Sequence, residues 1–327
     1  MISAIRPAAA AVTARAPAKV NLQLAVGPAR ADGYHSLVTV FHAVSLFDDV
    51  TVALADKTTI TVAGEDAAAV PADRSNLAWK AASALAKATG QRGASVRIEI
   101  RKRIPVAAGL AGGSADAAAT LVACNELWQA GLSGRELAEL AATLGSDVPF
   151  ALVGGTAVGR GRGEQLTPAL ATGTYHWALA FGHEGLSTAQ VYATCDRLRA
   201  ARVAAGDHAA EPGEPELSHP LMAALRSGEP AQVGPLLTND LQPAALSLQP
   251  ALRRTLTAGR EHGALGAVVS GSGPTCAFLA RDAARARDLA VALTGSGACR
   301  SVARASGPAP GAVVVRDLDR DRSRQRS

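Results

Sequence analysis

Alternation of hydrophobic and polar positions in the first half of the chain predicts a β-sheet built from short strands. In "KVNLQLAV", Val20, Leu22 and Leu24 alternate with Asn21 and Gln23, which is the pattern of a half-buried strand. "ASVRIEIRKRI" alternates more regularly, with apolar residues on one face and Arg or Glu on the other. "DVTVAL" and "TITVAG" predict two further strands.

Two helices are predicted between and after these strands. "SNLAWKAASALAKATG" starts at polar Ser75 and Asn76 and is followed by Gly90, which are typical start and stop signals of a helix. A second helix is predicted from Ser114 to Gln129, with an apolar face at helical spacing that includes Leu121.

The second half of the chain predicts a less regular mixture of elements. "GALGAVVSGSGPTCAFLA" is typical of strand, turn and strand, "AARARDLAVALTG" of a helix and "GAVVV" of a last strand, while "GTAVGRGRGEQL" is interpreted as a glycine-rich connector. Because strands and helices do not alternate strictly, an α+β fold is favoured over a doubly wound sheet. We place a first domain at residues 1–165, a second at 166–315 and a tail without predicted structure at 316–327.

Composition supports a globular protein with two cores. The chain has 327 residues, of which 48% are hydrophobic and 19% charged, which excludes a disordered chain. Aromatic residues are only 3%, so Ala, Val and Leu must fill the interior. The formal net charge is +5, and the terminal "RDLDRDRSRQRS" is rich in Arg. A solvated terminus is favoured there over a nucleic-acid contact.

No targeting or redox motif is predicted, and a reducing cytoplasm is therefore the expected location. The Ala-rich start, residues 1–18, contains Arg and Pro that interrupt any signal-peptide core, and no apolar run is long enough to span a membrane. The four cysteines, Cys124, Cys195, Cys276 and Cys299, lie far apart without C-x-x-C, which indicates neither a zinc site nor a disulfide framework.

The stretch "KRIPVAAGLAGGSADAAATLVACNELW" carries the strongest chemical signal. Gly109, Gly112 and Gly113 directly precede a helix start, and Ser114 adds a hydroxyl group. Glycines allow close backbone approach, and a helix start favours anions, so phosphate binding is favoured over a turn that only packs tightly. The stretch fits neither G-x-x-x-x-G-K-[ST] nor G-x-G-x-x-G, so any cation that neutralises a triphosphate must come from elsewhere in the chain.

Four motifs together resemble those of the GHMP small-molecule kinases. "PVAAGLAGGSADAA" resembles their P-x-x-x-G-L-G-S-S-A-A loop, and "APAKVNLQLAVGPARADGYHSLVTVF", "LGSDVPF" and "VSGSGPTCAF" resemble the flanking motifs in family order. The P-A-K-x-N-L and D-G-Y-H pair resembles a member whose acceptor is a cytidine-linked sugar alcohol. The resemblance implies a two-domain α+β fold: a GHMP N-terminal ATP-binding α/β domain, a ferredoxin-like GHMP C-terminal domain and a cleft between them.

The resemblance also implies a reaction and its catalytic residues. The expected activity is phosphorylation of the acceptor's 2-hydroxyl group in the non-mevalonate isoprenoid route, with ATP as co-substrate and Mg²⁺ expected. Asp147 matches the general base, although the residues alone favour a helix N-cap in "GSDVPF". Lys19 matches the cation beside that base, where the residues alone favour an exposed strand lysine.

The ATP site implied by the resemblance comprises the glycine loop and two further residues. Lys102 and Asn76 match positions near the adenine and its sugar, with an exposed surface position as the alternative for both. Ala108 and Ala111 stand where the family often has Gly, and alanine disfavours positive φ. Beyond Asp147 no carboxylate is evident for a metal, and Ser114 is a candidate ligand. The ATP-binding set is Asn76, Lys102, Pro105, Val106, Ala107, Ala108, Gly109, Leu110, Ala111, Gly112, Gly113 and Ser114.

The implied acceptor site lies in three other segments. Tyr34 is expected to stack on the cytosine, His35 to contact its edge, and Tyr192 to close the other side. Around Tyr192, "GHEGLSTAQVY" lacks the proline-rich form expected of the family. The acceptor-binding set is Asn21, Tyr34, His35, Tyr192, Gly271, Ser272 and Gly273.

Three alternatives remain at this level. A GHMP kinase for a smaller alcohol, of the homoserine or mevalonate type, would lack the D-G-Y-H motif. A catalytically silent nucleotide-binding protein would not need both Lys19 and Asp147. RNA binding depends on the basic tail alone. The expected partners are ATP and a small-molecule substrate, without nucleic acid or membrane, in a monomer or homodimer.

Overall fold

The structure is a computed structural model that describes residues 11–91 and 94–315. These ranges contain twelve strands: β1 (Ala11–Ala29), β2 (His35–Ala55), β3 (Thr59–Gly64), β4 (Ser95–Lys102), β5 (Thr156–Arg160), β6 (Gln165–Pro168), β7 (Tyr175–Phe181), β8 (Thr238–Asn239), β9 (Gly266–Val269), β10 (Cys276–Ala280), β11 (Ser301–Gly307) and β12 (Val313–Val314).

The same ranges contain ten α-helices and three short 3₁₀ turns, the latter at Ala67–Ala69, His208–Ala210 and Gly234–Leu236. The helices are α1 (Leu77–Ala88), α2 (Gly112–Leu127), α3 (Gly134–Ala142), α4 (Val148–Val153), α5 (Thr188–Ala204), α6 (His219–Ser227), α7 (Pro230–Val233), α8 (Gln242–Leu248), α9 (Ala251–Glu261) and α10 (Ala283–Gly295).

The larger sheet is organised around the long antiparallel pair of β1 and β2. Its order is β12-β1-β2-β4-β3, with β5 and β6 continuing from β2 and β8 pairing in parallel with β1. The four strands predicted from alternation in the first half lie within β1 to β4, but two of them belong to longer strands than predicted, because β1 and β2 have 19 and 21 residues. The β1–β2 register shifts between Asn21 and Gln23. Such an irregularity re-aims side chains locally, and here it lies beside the predicted catalytic strand residues.

Helices α1 and α2 cover one face of this sheet and form its core with it. Both predicted helices are confirmed, and α2 starts two residues earlier than expected, at Gly112. Leu121 on the predicted apolar face is buried, and most residues from Ala115 to Cys124 on the other sides of α2 are buried as well. Small alanine side chains let the helix approach the sheet and its neighbouring helices closely, which explains a core with few aromatic residues.

The second sheet is antiparallel, in the order β11-β7-β10-β9. Helix α10 packs on β7 and β11, and α9 contacts β9 and β10. The predicted strand, turn and strand at residues 263–280 is confirmed as β9 and β10, and the last helix and strand are confirmed as α10 and β12. The α+β class is therefore confirmed.

The segment "GTAVGRGRGEQL" differs from its prediction. "GTAVGRGRGEQL" is not only a connector, because β5 and β6 pair as a hairpin around a turn at residues 161–164. Residue 165 begins β6, so the predicted domain boundary falls inside this hairpin and stays a prediction. The tail at 316–327 and residues 1–10 lie outside the described residues.

None of the described helices has the length and apolar character needed to cross a bilayer. All four cysteines are buried, unpaired thiols.

Candidate active site

A cavity of about 1120 Å³ lies between the larger sheet, the start of α2, helix α5 and the turn between β9 and β10. It brings together nearly all the predicted site residues: Lys19, Asn21, Tyr34, His35, Asn76, Lys102, Pro105, Val106, Ala107, Ala108, Gly109, Ala111, Gly112, Gly113, Ser114, Asp147, Tyr192, Gly271 and Ser272. Leu110 and Gly273 do not line it. Leu110 is only 1% exposed, and a Cβ on Gly273 would lie 2.9 Å from Val269. The individual binding roles stay predictions.

The glycine loop is held against the turn between β9 and β10. Gly109 has φ +74, and a Cβ built there would lie 2.1 Å from the carbonyl oxygen of Ser270. The Gly109 carbonyl accepts hydrogen bonds from Lys19 Nζ at 2.8 Å and from Ser270 Oγ at 3.2 Å. Glycine is required here because two loops distant in sequence touch backbone to backbone.

The helix start beyond this loop has two further conformational features. Ala111 occupies the N-cap of α2 in the left-handed region, with φ 61, although alanine disfavours it. A Cβ on Gly112 would lie 3.1 Å from both Lys102 Nζ and Ile104 Cγ2. The first N–H groups of α2 have no partner within the helix and are therefore available to an anion in the cavity.

Replacing Gly109 by alanine should destabilise the protein and weaken ATP binding. Positive φ costs a non-glycine residue roughly 1–2 kcal/mol, and the contact with Ser270 adds to that cost. Gly131→Ala is the matched control, because Gly131 has φ +69 and open space around its Cβ position. Urea unfolding should show a larger loss of unfolding free energy for Gly109→Ala, and equal losses would mean that the loop contact contributes nothing.

Lys19 lies buried beneath the loop, so the alternative of an exposed strand lysine is wrong. Its ammonium group donates to Asn21 Oδ1 at 2.7 Å, which confirms that the two side chains share one strand face. Burial lowers the pKa of Lys19, and the negative charge of Asp147 opposes this shift. Asn21 in turn donates through Nδ2 to Thr39 Oγ1 at 2.8 Å, which fixes the orientation of its amide.

Asp147 stands at the N-cap position of α4 but does not cap the helix. Its φ and ψ are helical, and its side chain makes no capping hydrogen bond. Its charge acts on the Lys19 ammonium and contributes, after burial, to the raised pKa of Tyr192. The carboxylate is therefore left free to face the cavity that it lines with both residues.

Lys102 lies in a buried cluster with two carboxylates rather than on an exposed surface. Its ammonium group donates to Asp48 Oδ2 at 2.5 Å and to Asp116 Oδ2 at 2.8 Å. Asp48 also accepts the backbone N–H groups of Arg103 and Ile104 at 2.6 Å and 2.9 Å. Asp116 Oδ1 has no partner among the described residues. Burial raises the pKa of Asp116 to about 7, with Lys102 opposing the shift and Asp48 adding to it.

Asn76 is also buried, and its side chain is used within the protein. Its Oδ1 accepts the N–H of Ala78 at 2.8 Å as the N-cap of α1, and its Nδ2 donates to the carbonyl of Pro71 at 2.7 Å. The exposed-surface alternative is wrong here too. Any contact of Asn76 with ATP must use the second hydrogen of Nδ2 or the second lone pair of Oδ1.

The other end of the cavity carries the predicted base-binding residues. Tyr34 is 53% exposed, as a stacking surface must be, whereas His35 is 8% exposed. His35 Nε2 lies 3.0 Å from Asp196 Oδ1, and its ring centroid lies 5.0 Å from that of Tyr192. Arg162, from the β5–β6 turn, lies over the Tyr34 ring at 5.0 Å from its centroid.

The turn between β9 and β10 closes the cavity over Lys19. Gly271 has φ +56, and a Cβ there would lie 2.9 Å from Lys19 Nζ. Asn239 Nδ2 donates to the Gly271 carbonyl at 2.7 Å, and Ser272 Oγ lies 3.0 Å from Thr188 Oγ1. The turn is thus held by strand β8 and by the start of α5.

Sequence reasoning missed several residues of the site. Asp116 stands within the quoted loop motif, where an acid on an otherwise apolar helix was a usable signal. Asp48, Asp196 and Arg162 carried no such signal. Their contacts with Lys102, His35 and Tyr34 depend on the tertiary fold.

Comparison with known proteins agrees with this geometry. Residues 76–155 match the family described as GHMP kinases N terminal domain, and residues 221–298 match GHMP kinases C terminal. A protein of Mycolicibacterium gilvum (strain PYR-GCK) named 4-diphosphocytidyl-2-C-methyl-D-erythritol kinase is 58% identical over 304 residues, covering 93% of this chain and 92% of that protein. A protein of the same name from Nocardia farcinica (strain IFM 10152) is 58% identical and covers 93% and 96%.

Solved structures place the fold in the same class. A crystal structure of 4-(cytidine 5'-diphospho)-2C-methyl-D-erythritol kinase has a TM-score of 0.72 and 36% identity, covering 90% of this chain and 98% of that chain. A homoserine kinase from Cytophaga hutchinsonii, with a TM-score of 0.69 and 18% identity over 96% and 99% of the two chains, shares the fold.

The chain therefore belongs to the GHMP kinases, and the predicted GHMP fold is confirmed. Within that class, its high identity to the curated relatives places it among the 4-diphosphocytidyl-2-C-methyl-D-erythritol kinases.

Proposed function

We propose that this protein transfers the γ-phosphoryl group of ATP to the 2-hydroxyl group of 4-diphosphocytidyl-2-C-methyl-D-erythritol, a step of the non-mevalonate route to isoprenoid precursors. The observation that carries the proposal is that Lys19, Asp147, the glycine loop and the Tyr34–His35 segment line the same cavity. A phosphate cradle, a base with a buried cation and an exposed aromatic ring are the parts that this reaction requires.

Asp147 serves as the general base. The acceptor oxygen forms a bond to the γ-phosphorus, the bond from that phosphorus to the β–γ bridging oxygen breaks, and ADP leaves. The hydroxyl proton passes to the Asp147 carboxylate, which is not engaged in capping α4. The Lys19 ammonium, oriented by Asn21 and the Gly109 carbonyl, stabilises the negative charge that develops on the acceptor oxygen.

The glycine loop binds the phosphates of ATP. Backbone N–H groups at the start of α2 and its helix dipole favour an anion there. The Lys102 cluster lies directly under Gly112 and supports the loop from below.

The donor set of the cavity fits a magnesium ion held mostly by phosphates. The described residues contain no group of three or more His, Cys, Asp or Glu that would hold a metal by themselves. Mg²⁺ usually keeps phosphate and water ligands with one or two protein groups, and the Ser114 hydroxyl, which lines the cavity, would supply one of them. When bound, the ion neutralises charge on the transferring phosphoryl group.

The direct test is an ATP-consumption assay with purified protein and separate acceptors. ATP should be consumed with 4-diphosphocytidyl-2-C-methyl-D-erythritol and not with homoserine or mevalonate, and mass spectrometry should find one phosphate added to the acceptor. Use of a smaller alcohol instead would favour the other GHMP kinases. Absence of transfer to every acceptor would favour a silent nucleotide-binding protein.

Replacing Tyr34 by alanine should lower kcat/KM for the cytidine-linked acceptor by about 5- to 150-fold, since stacking of a base on an aromatic ring contributes roughly 1–3 kcal/mol. Tyr34→Phe is the matched control because it keeps the ring, and KM for ATP should stay unchanged in both variants. Equal kcat/KM for wild type and Tyr34→Ala would contradict the base-stacking role.

The monomeric or homodimeric state and the cytoplasmic location stay predictions. Neither is required by the geometry of the cavity.

A further inference from the structure

Arg162 lines the cavity but has no part in the predicted site. It lies in the turn between β5 and β6, which is held in place by its own backbone hydrogen bonds. Leu37 N–H donates to the Gly161 carbonyl at 2.8 Å, and Gly163 N–H donates to the Arg160 carbonyl at 2.9 Å. The turn is therefore fixed to the strand that follows Tyr34, and Arg162 projects from a rigid base.

Among the described residues, the Arg162 guanidinium has an aromatic partner, Tyr34, and no anionic one. It lies 5.0 Å from the Tyr34 ring centroid and is half-buried. Glu164 accepts the backbone N–H of Arg162 at 2.7 Å, and in the part of the chain that the structure describes no carboxylate forms an ion pair with the guanidinium. A guanidinium in this setting keeps its donors for a ligand.

The two lysines that line the cavity already have hydrogen-bond partners within the protein. Lys102 is held between Asp48 and Asp116, and Lys19 is bonded to Asn21 and the Gly109 carbonyl at the reaction centre. Tyr34 and His35 lie at the acceptor end of the cavity. Arg162 is the arginine that lines the cavity with them and can bind a negatively charged group there.

We propose that Arg162 binds the diphosphate group of the acceptor and selects a nucleoside diphosphate over a nucleoside. The inference rests on the proposed function, which supplies a cytidine-linked diphosphate as the ligand. A base stacked on the face of Tyr34 that Arg162 leaves open would have its diphosphate one ribose away, in the same cavity that Arg162 lines. The planar guanidinium can donate two parallel hydrogen bonds to phosphate oxygens, which a lysine cannot reproduce.

The test measures binding of CDP and of cytidine by calorimetry at one fixed ionic strength, without ATP. Arg162→Gln should weaken CDP binding by about 10- to 100-fold, as expected on losing a charge-assisted bidentate contact, and should change cytidine binding less than about twofold. Arg162→Lys should recover part of the CDP affinity. Arg160→Gln is the matched control, since Arg160 is exposed on the same hairpin and does not line the cavity.

Three outcomes would overturn the proposal: unchanged CDP affinity in Arg162→Gln, equal losses for CDP and cytidine, or wild-type protein that binds CDP no more tightly than cytidine. Equal losses would mean that Arg162 acts on the base through Tyr34. The binding test involves no turnover, so failure of the proposed kinase activity would be seen separately, in the ATP-consumption assay. Thermal unfolding of each variant checks that the fold is intact.

Discussion

Asp147→Asn is expected to lower kcat by roughly 100-fold or more while leaving the affinity for ATP nearly unchanged. Loss of a general base typically costs about 10²- to 10⁴-fold, and the amide keeps the size of the carboxylate. Stability should hardly change, because the Asp147 side chain makes no capping hydrogen bond at the start of α4. Steady-state kinetics measures kcat, and ATP titration measures the affinity for ATP.

Asp282→Asn is the matched control for this variant. Asp282 also occupies a helix N-cap, but its carboxylate does cap, accepting the N–H of Arg285 at 2.8 Å, and it lies outside the cavity. Because asparagine caps about as well as aspartate, this control should keep both activity and stability. Near-normal turnover of Asp147→Asn would show that Asp147 is not the base.

Among the variants described, Lys102→Met is expected to lose the most unfolding free energy, about 3–5 kcal/mol, and to bind ATP more weakly. It removes the cation shared by Asp48 and Asp116 and leaves two buried carboxylates without it. ATP binding should suffer because Gly112 at the helix start lies against the Lys102 ammonium group. Urea unfolding and ATP titration measure the two effects.

The stability loss of Lys102→Met should shrink as the pH falls from 8 to about 7 and should level off below that value. The pKa of Asp116 is already raised to about 7 with Lys102 present, so its folded state holds a proton more strongly than the unfolded chain. An acid with a raised folded pKa gains stability as the pH falls through that value. Without Lys102 the pKa of Asp116 rises further, so the variant takes up this proton at a higher pH than wild type, and below about pH 7 both proteins hold it.

Two further variants decide whether the cluster of Lys102, Asp48 and Asp116 causes this loss of stability. Lys80→Met removes an exposed lysine of α1 and should change the unfolding free energy by less than about 0.5 kcal/mol. Asp116→Asn leaves Lys102 paired with Asp48 alone and should cost less than Lys102→Met. If Lys102→Met is as stable as Lys80→Met, the buried cluster does not hold the loop.

Local signals in the chain predicted the elements well. The alternation in "ASVRIEIRKRI" became β4, and the cap and stop signals around "SNLAWKAASALAKATG" became α1 with Asn76 as its N-cap. These signals depend on neighbours within about four residues, so they can be interpreted without a fold. The glycine connector was misinterpreted because a hairpin turn and a flexible link share the same residue types.

On the polar face of β1, the local sequence pattern did not predict burial correctly. Alternation predicted a half-buried strand, with Lys19, Asn21 and Gln23 toward solvent, but these residues are 5%, 2% and 5% exposed. The turn between β9 and β10, from the second half of the chain, covers Lys19. Side-chain alternation shows which residues share a face and says nothing about what later packs on it.

By itself, the sequence determined the α+β class and the order of the four motifs, and it predicted many of the residues that line one cavity. The tertiary structure alone decided which charges meet there: Lys102 with Asp48, 54 residues away, His35 with Asp196, 161 residues away, and Arg162 with Tyr34. The physical reason is that capping and alternation are short-range, whereas ion pairs and cation–π contacts are formed by whichever segments the fold brings within a few ångströms. Burial then decides their chemistry, as the lowered pKa of Lys19 and the raised pKa of Asp116 show.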